Sequence, residues 1–278
     1  MKIIVSAMHR SGINVIGKWL LRQTSLKSKP LKPFIGDWVE TLNRQQSLDI
    51  GNRFFFVSQI NHPDHYIDPE WMYKDDNVVM TIERNTISEI EDFCRDKGLY
   101  RYSPIHEYMD VQYSDEPEVW KHVIIIRDFK NWIASVLKAH IDAFFKDPWN
   151  PTLQTYRTHN DIAKYKTYLD WATDPTLYFC GREGFHPYII SYDKWFTDKN
   201  YRKKIVKDLD LPKFTDAGKN DIPQNCGGSS FDGLTFDGKA SEMKVLERWK
   251  EYENEEGFIQ ILEHYKDLVE VSEKFIGE

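Results

Sequence analysis

Cysteine is scarce in this chain of 278 residues: Cys94, Cys180 and Cys226 are odd in number and show no metal-type spacing, so reduced thiols are expected. Long apolar runs are missing as well. Nothing approaches the ~20 residues that carry a helix across a bilayer. The first hydrophobic segment begins at Lys2, with no room ahead of it for a secretory leader, and a cytoplasmic protein without a membrane partner is expected. Basic residues are in deficit, with 37 Lys and Arg against 44 Asp and Glu and a formal net charge of −7. A general nucleic-acid binder carries the opposite balance, and none is expected as a partner. Repeats and low-complexity tracts are absent. The hydrophobic content of 41% suffices for a sizeable core, and one domain over residues 1–278 is expected.

What is present starts immediately. Lys2-Ile3-Ile4-Val5 reads as a strand, Ser6-Ala7-Met8-His9-Arg10-Ser11-Gly12-Ile13-Asn14 as a turn, and a helical pattern begins near Val15. A buried strand that breaks at a small, basic, glycine-containing loop and restarts as a helix aims backbone N–H groups and a helix N-terminus at one point, where an anion is stabilised. Arg10 adds a fixed charge and a forked set of donors. Taken alone, the segment suits a phosphate cradle or an ordinary strand-to-helix turn with an exposed arginine. Gly12-Ile13-Asn14-Val15-Ile16-Gly17-Lys18-Trp19 has the glycine and lysine spacing of a nucleoside-triphosphate loop, but Trp19 stands where a Ser or Thr hydroxyl would hold magnesium. No metal is expected, and Gly17 is expected inside the first helix.

A second junction narrows the choice. Trp120-Lys121-His122-Val123-Ile124-Ile125-Ile126 is the near-continuous apolar run of a strand buried on both faces, and Phe129 to Lys138 reads as a helix. Arg127 then sits at the carboxyl end of a central strand, where ligands of open α/β sheets bind. Ser135, two turns into the helix, can share an oxyanion with it. Asp128 is expected as the helix N-cap.

Arg10-Ser11-Gly12 after the first strand, with Arg127 and Ser135 after a later one, resembles the sulfotransferase family that uses 3′-phosphoadenosine 5′-phosphosulfate (PAPS). The resemblance implies that His9, Arg10, Ser11, Gly12, Ile13, Asn14 and Val15 hold the 5′-phosphosulfate, and that Arg127 and Ser135 hold the 3′-phosphate. Tyr188-Ile189-Ile190-Ser191-Tyr192-Asp193-Lys194-Trp195-Phe196 looks like the family's late strand, which implies Tyr192 near the adenine. Gly227-Gly228-Ser229-Ser230-Phe231-Asp232-Gly233, running on to Arg248-Trp249, is similar to a C-terminal signature of some branches. This implies that Ser229, Ser230 and Phe231 close over the nucleotide. The first loop departs from the family in carrying Arg10 for Lys and Ile13-Asn14 for a Thr-containing pair, which leaves one hydroxyl donor missing. A Lys-Thr-His strand end is also missing, which argues against the cytosolic phenol and steroid branch.

The resemblance implies transfer of a sulfuryl group from PAPS to an acceptor hydroxyl or, less in keeping, an amine, with release of 3′-phosphoadenosine 5′-phosphate (PAP). Such transfer needs donors on the leaving oxygen, a role for Arg10 and the loop N–H groups, and a base at the acceptor. Glu83, ending the strand Val78 to Ile82, is the first candidate base. His62 and His65, which follow the strand Arg53 to Ser58, and His106 are the others. Trp149, Tyr156, Tyr165, Tyr168 and Trp171 lie in the region that often forms the acceptor wall, and suit sugar stacking or an aromatic phenol equally. Two rival readings stay open: a P-loop kinase with a degenerate Walker motif, and a non-catalytic module that binds PAP or another nucleotide.

Strands are expected near residues 2–6, 53–58, 77–82, 122–127 and 187–191, alternating with helices. That pattern makes an α/β fold of P-loop-like type with a mostly parallel sheet flanked by helices. Thr86-Ile87-Ser88-Glu89 is a capping-box pattern opening a helix to about Lys97, and helices are expected over 161–172, 239–252 and 258–275. Thr215 to Gly238, rich in Gly, Asp, Asn and Ser, is expected to be a nucleotide-covering loop.

Overall fold

The structure is a computed structural model that describes residues 1–24, 52–57, 77–83, 89–90, 120–140, 153–174, 187–222, 229 and 231–277. The strands are β1 (Lys2–Ala7), β2 (Asn52–Val57), β3 (Asn77–Glu83), β4 (Lys121–Ile126) and β5 (Tyr188–Ser191). They pair in the order β2-β3-β1-β4-β5, and every pairing is parallel. The described helices are α1 (Ile13–Thr24), α2 (Phe129–His140), α3 (Leu153–Thr173), α4 (Tyr192–Thr197), α5 (Lys199–Asp208), α6 (Glu256–His264) and α7 (Lys266–Gly277). None of them is long and apolar enough to cross a membrane.

Both faces of the sheet are covered, and the two-residue period of a strand divides its side chains between them. Ile3, Val5 and Ala7 of β1 join Val123 and Ile125 of β4 on one face, under Ile16, Trp19 and Leu20 of α1 and Trp195 and Ile205 of α4 and α5. Ile4, Ile124 and Ile126 join the other face, under Phe129, Trp132 and Ile133 of α2, Tyr165 and Leu169 of α3, and Phe258 and Leu268 of α6 and α7. The order places β1 where the chain, having built β2 and β3 on one side, crosses to build β4 and β5 on the other. That reversal opens a crevice beyond the carboxyl ends of β1 and β4.

Four sequence expectations change. The helix expected over 239–252 is two short 3-10 turns, Ala240–Glu242 and Arg248–Tyr252, with non-helical chain between them. Tertiary donors explain the break: the Val245 carbonyl accepts from Arg127 Nη2 at 2.8 Å and the Leu246 carbonyl from Asn131 Nδ2 at 3.0 Å. Carbonyls captured in this way leave the helical ladder. The terminal helix is interrupted at Tyr265, whose hydroxyl meets His159 Nδ1 at 2.7 Å. Tyr192 opens α4 rather than extending β5, because the Ser191 hydroxyl caps that helix by accepting the Lys194 N–H at 3.3 Å. Tyr165, Tyr168 and Trp171 do not form an acceptor wall. All three are at most 4% exposed, and Tyr165 stacks on Trp132 with ring centroids 4.5 Å apart. Trp149, the side chain of Tyr156 and the capping box at 86–88 lie outside the described residues.

Candidate functional site

The loop from Ala7 to Ile13 turns tightly beyond β1. The Ser11 N–H closes it onto the Met8 carbonyl at 3.2 Å, and Arg10 and Gly12 take φ values of +64° and +81°. An L-residue in that region costs roughly 1–2 kcal/mol, so Arg10 needs external support. Two buried donors supply it. Trp132 Nε1 donates to the His9 carbonyl at 2.8 Å, and Arg127 Nη1 to the Arg10 carbonyl at 2.9 Å. The carbonyl of one residue and the N–H of the next point opposite ways across a trans peptide, so drawing the His9 carbonyl into the core turns the Arg10 N–H outward. The first backbone bond of α1 runs from the Ile16 N–H to the Gly12 carbonyl at 3.1 Å, and the preceding first-turn N–H groups have no intrahelical acceptor.

Gly12 is fixed by packing as well as by φ. A Cβ there would lie 2.2 Å from Cε2 of Tyr192, whose buried ring closes the floor of the loop. The Arg127 guanidinium lies 5.1 Å from the centroid of the same ring. Burial raises the Tyr192 phenol, and Arg127 and Arg248 pull it back. Arg10 itself is half-buried, and its guanidinium makes no hydrogen bond or ion pair among the described residues.

Arg127 and Ser135 meet, as their spacing implies. Arg127 is 2% exposed, and its Nη1 donates to the Ser135 hydroxyl oxygen at 3.0 Å while Ser135 donates to the Asn131 carbonyl at 2.9 Å. Together with its bonds to the Arg10 and Val245 carbonyls, this joins the first loop, α2 and the C-terminal segment through one guanidinium. Its Nε–H is buried and has no acceptor among the described residues. Asp128 caps α2 as expected, accepting the Asn131 N–H at 2.8 Å. The Asp128 N–H donates to the buried carboxylate of Asp193 at 2.9 Å. Burial pushes the Asp193 carboxyl up to about 6, against the lowering pull of Arg127.

A third arginine joins this cluster that sequence reasoning did not single out. Arg248 is 8% exposed; its N–H donates to Asn131 Oδ1 at 3.0 Å, and its Nη2 to the Ser229 hydroxyl at 2.6 Å and Asp232 Oδ2 at 3.2 Å. Burial first, and the Arg127 charge second, push its guanidinium down to about 10 from an ordinary 12.5. Phe231 lies between two cations, with Arg248 4.9 Å and Lys138 5.3 Å from its ring centroid. In the sequence Arg248 sat in what read as a helix, where a basic residue gives no sign of burial. Asn131, three residues after the cap Asp128, was legible only as part of a helix start.

Other expected site residues fall out as follows. Ser11 and Ile13 are buried, while Asn14 and Val15 are half-buried on the first turn of α1. His9 enters the loop through its backbone; its buried ring turns toward α3, with Nε2 3.6 Å from Asp161 Oδ2 and its edge toward Trp132. Glu83 pairs in register with Ala7, which sets it at the carboxyl edge of the sheet beside the loop. The Glu83 side chain, His62, His65, His106 and Ser230 lie outside the described residues. Gly17 and Lys18 lie inside α1 and Trp19 is 0% exposed, so the Walker-like spacing belongs to a helix and not to a loop. No group of three or more metal-ligating side chains occurs among the described residues.

No protein-family model matches this sequence, and no curated protein matches it. Among solved structures, the chain is similar to the crystal structure of mouse sulfotransferase SULT7A1 complexed with PAP. The likeness covers 99% of this chain and 87% of that one, at 13% identity and a TM-score of 0.49.

Proposed function

We propose that this chain is a PAPS-dependent sulfotransferase that sulfates a hydroxyl on a small-molecule or carbohydrate acceptor, an amine being the lesser alternative, and releases PAP. The observation that carries the reading is the half-buried guanidinium of Arg10. It has no counter-anion among the described residues, and it stands on a left-handed residue of the loop that leads into the α1 N-terminus. The buried Arg127 Nε–H and the second buried guanidinium of Arg248 extend the donor set to a further phosphate, which fits a nucleotide with two separate anionic groups. PAPS, when bound, would supply an activated sulfuryl group. Arg10 and the first-turn N–H groups of α1 would bind the 5′ end and hold donors on the oxygen where charge develops. Arg127, Ser135 and Arg248 would bind the 3′-phosphate end, with Tyr192, Ser229, Ser230 and Phe231 on the adenosine side. Glu83, ending β3 beside Ala7, would take the acceptor's proton, with His62, His65 and His106 as the alternatives. A single domain working in the cytoplasm, without metal, membrane or nucleic acid, belongs to the same proposal.

The kinase alternative needs Gly17 and Lys18 in a loop and a magnesium-binding hydroxyl at Trp19, and α1 meets neither condition. Calorimetry with PAP, AMP, ATP, GTP and ADP, with magnesium and with EDTA, is the test. PAP is expected to bind in EDTA and to outcompete ATP; magnesium-dependent ATP binding with PAP no tighter than AMP would overturn the reading. In the same preparation, Glu83→Gln should lower turnover by roughly 100-fold while PAP affinity stays within about threefold. Normal turnover in that variant, with a dead His62→Asn, His65→Asn or His106→Asn, moves the base to the histidine.

A further inference from the structure

Arg248 and Asp232 differ in a way that points beyond simple pairing. The Arg248 side chain is 9% exposed and its guanidinium meets the Ser229 hydroxyl and the Phe231 ring as well as Asp232, whereas the Asp232 side chain is 26% exposed. The guanidinium is the more buried partner, and the carboxylate is the one with a side open to water. The turn that carries Asp232 does not depend on its charge. Ser229 and Gly233 exchange N–H to carbonyl bonds at 2.9 Å in both directions, and the Ser229 hydroxyl oxygen accepts the Phe231 and Asp232 N–H groups at 3.2 Å each. The Ser229 hydroxyl in turn donates to Asp232 Oδ2 at 3.0 Å. One carboxylate oxygen therefore receives both the serine hydroxyl and the guanidinium, as a phosphate oxygen would.

We propose that Asp232 is a specificity residue: in the ligand-free protein its carboxylate occupies the anion position on Arg248 and Ser229, and a ligand phosphate must displace it to bind there. This rests on the PAPS reading of the site. A phosphate dianion brings more charge and more acceptor oxygens than one carboxylate, and it sits in the combined field of Arg248 and Arg127, so the exchange is downhill for a ligand that reaches Arg248. A nucleotide lacking that phosphate leaves the Arg248–Asp232 pair intact and gains nothing from it. Asp232 thus lowers the affinity for doubly phosphorylated nucleotides alone, and keeps two neighbouring buried guanidiniums from attracting any passing anion.

The experiment compares PAP with AMP by calorimetry on the full chain, for the wild type, Asp232→Asn and Asp232→Ser, at one ionic strength. Asn keeps the acceptor geometry and removes the charge; Ser removes both. PAP should bind about five- to tenfold more tightly to both variants, the scale expected for release from a part-exposed charged hydrogen bond, while AMP affinity stays within about twofold. Thermal melts within a few degrees of the wild type tie the change to the site. PAP affinity that is unchanged or weaker in both variants, with wild-type binding intact, overturns this assignment and leaves the PAPS reading standing. Equal tightening for PAP and AMP also overturns it, since Asp232 would then act only as a long-range charge. A wild type that binds neither nucleotide overturns the PAPS reading and this inference with it.

Discussion

The first loop and the C-terminal segment over 229–252 face the same crevice, and they are built by opposite means. The loop is a backbone device: a buried strand, two left-handed residues and a helix start, with a half-buried arginine that has no ion-pair partner among the described residues. The C-terminal segment is a side-chain device. Its carbonyls are taken by Arg127 and Asn131, its regular structure is two 3-10 turns, and its arginine is paired with Asp232. A backbone cradle is positioned by the sheet, whereas a side-chain clamp exists only while its distant donors are in place. Among the described residues, Arg127 donates to both, to the Arg10 carbonyl and to the Val245 carbonyl.

Replacing Arg127 by Ala should therefore break the pairing of the two regions, and it carries the largest effect expected. The carbonyls of Arg10 and Val245 lose a charged donor together, and each buried group left unsatisfied costs roughly 1–3 kcal/mol. Urea denaturation should show a loss of about 3–5 kcal/mol. Hydrogen exchange should show faster exchange at the amides of Val245 to Trp249, while those of β1 stay protected. A loss under about 1 kcal/mol, or uniform exchange in both regions, would mean that Arg127 does not hold them together.

The same contrast explains what the sequence made legible. All five strands lie within a residue or two of their expected limits because apolar runs such as Val123 to Ile126 are read by the hydrophobic effect alone. The first loop was legible because strand, basic residue and glycine follow one another within the first twelve residues. Arg127 with Ser135 was legible because one helix fixes their separation. Arg248 was not, since its burial depends on Asn131, a residue 117 positions away. The break over Met243 to Glu247 was hidden for the same reason, as helical spacing of apolar residues says nothing about carbonyls captured from another element. Tyr165 shows the converse error. An aromatic placed by sequence on an acceptor wall instead stacks on Trp132 and donates its hydroxyl to the Arg127 carbonyl at 2.6 Å.

Asp193 offers a subtler test, because it supports the junction from below with a group that titrates. Its buried carboxyl has a pKa of about 6 in the folded protein against an ordinary 3.8. The folded state holds that proton more tightly than the unfolded chain does. The stability it contributes is thus fully present below about pH 3.8 and is lost as pH rises through about 6, a change of about 3 kcal/mol at 1.36 kcal/mol per pKa unit. Asp193→Asn keeps an acceptor for the Asp128 N–H and does not titrate. The wild type minus variant difference in unfolding free energy should fall by most of that amount between pH 4 and pH 7, while the titrations common to both cancel. A flat difference across that range would mean that Asp193 is solvated in solution and not buried beneath Arg127.

The smallest effect is expected where α1 meets the chain leading toward the C-terminal segment. Two kinds of contact join them. Thr215 is held through its backbone at both ends: its carbonyl accepts from Trp19 Nε1 at 3.0 Å and its N–H donates to Gln23 Oε1 at 2.8 Å. Further out, Arg22 Nη2 and Asp221 Oδ2 form an ion pair at 2.5 Å, with side chains 31% and 50% exposed. Short as it is, this pair is largely solvated. Water screens it, and two long side chains lose rotamer freedom to make it, so exposed pairs of this kind contribute only about 0.2–1 kcal/mol. Arg22→Ala should lower stability by no more than about 1 kcal/mol, including some lost packing of the arginine stem against Gly218, and the deficit should shrink in ~0.5 M salt as screening removes the wild-type advantage. A loss above about 2 kcal/mol that salt does not reduce would show that the ion pair, and not the grip of Trp19 and Gln23 on Thr215, secures α1 to this part of the chain.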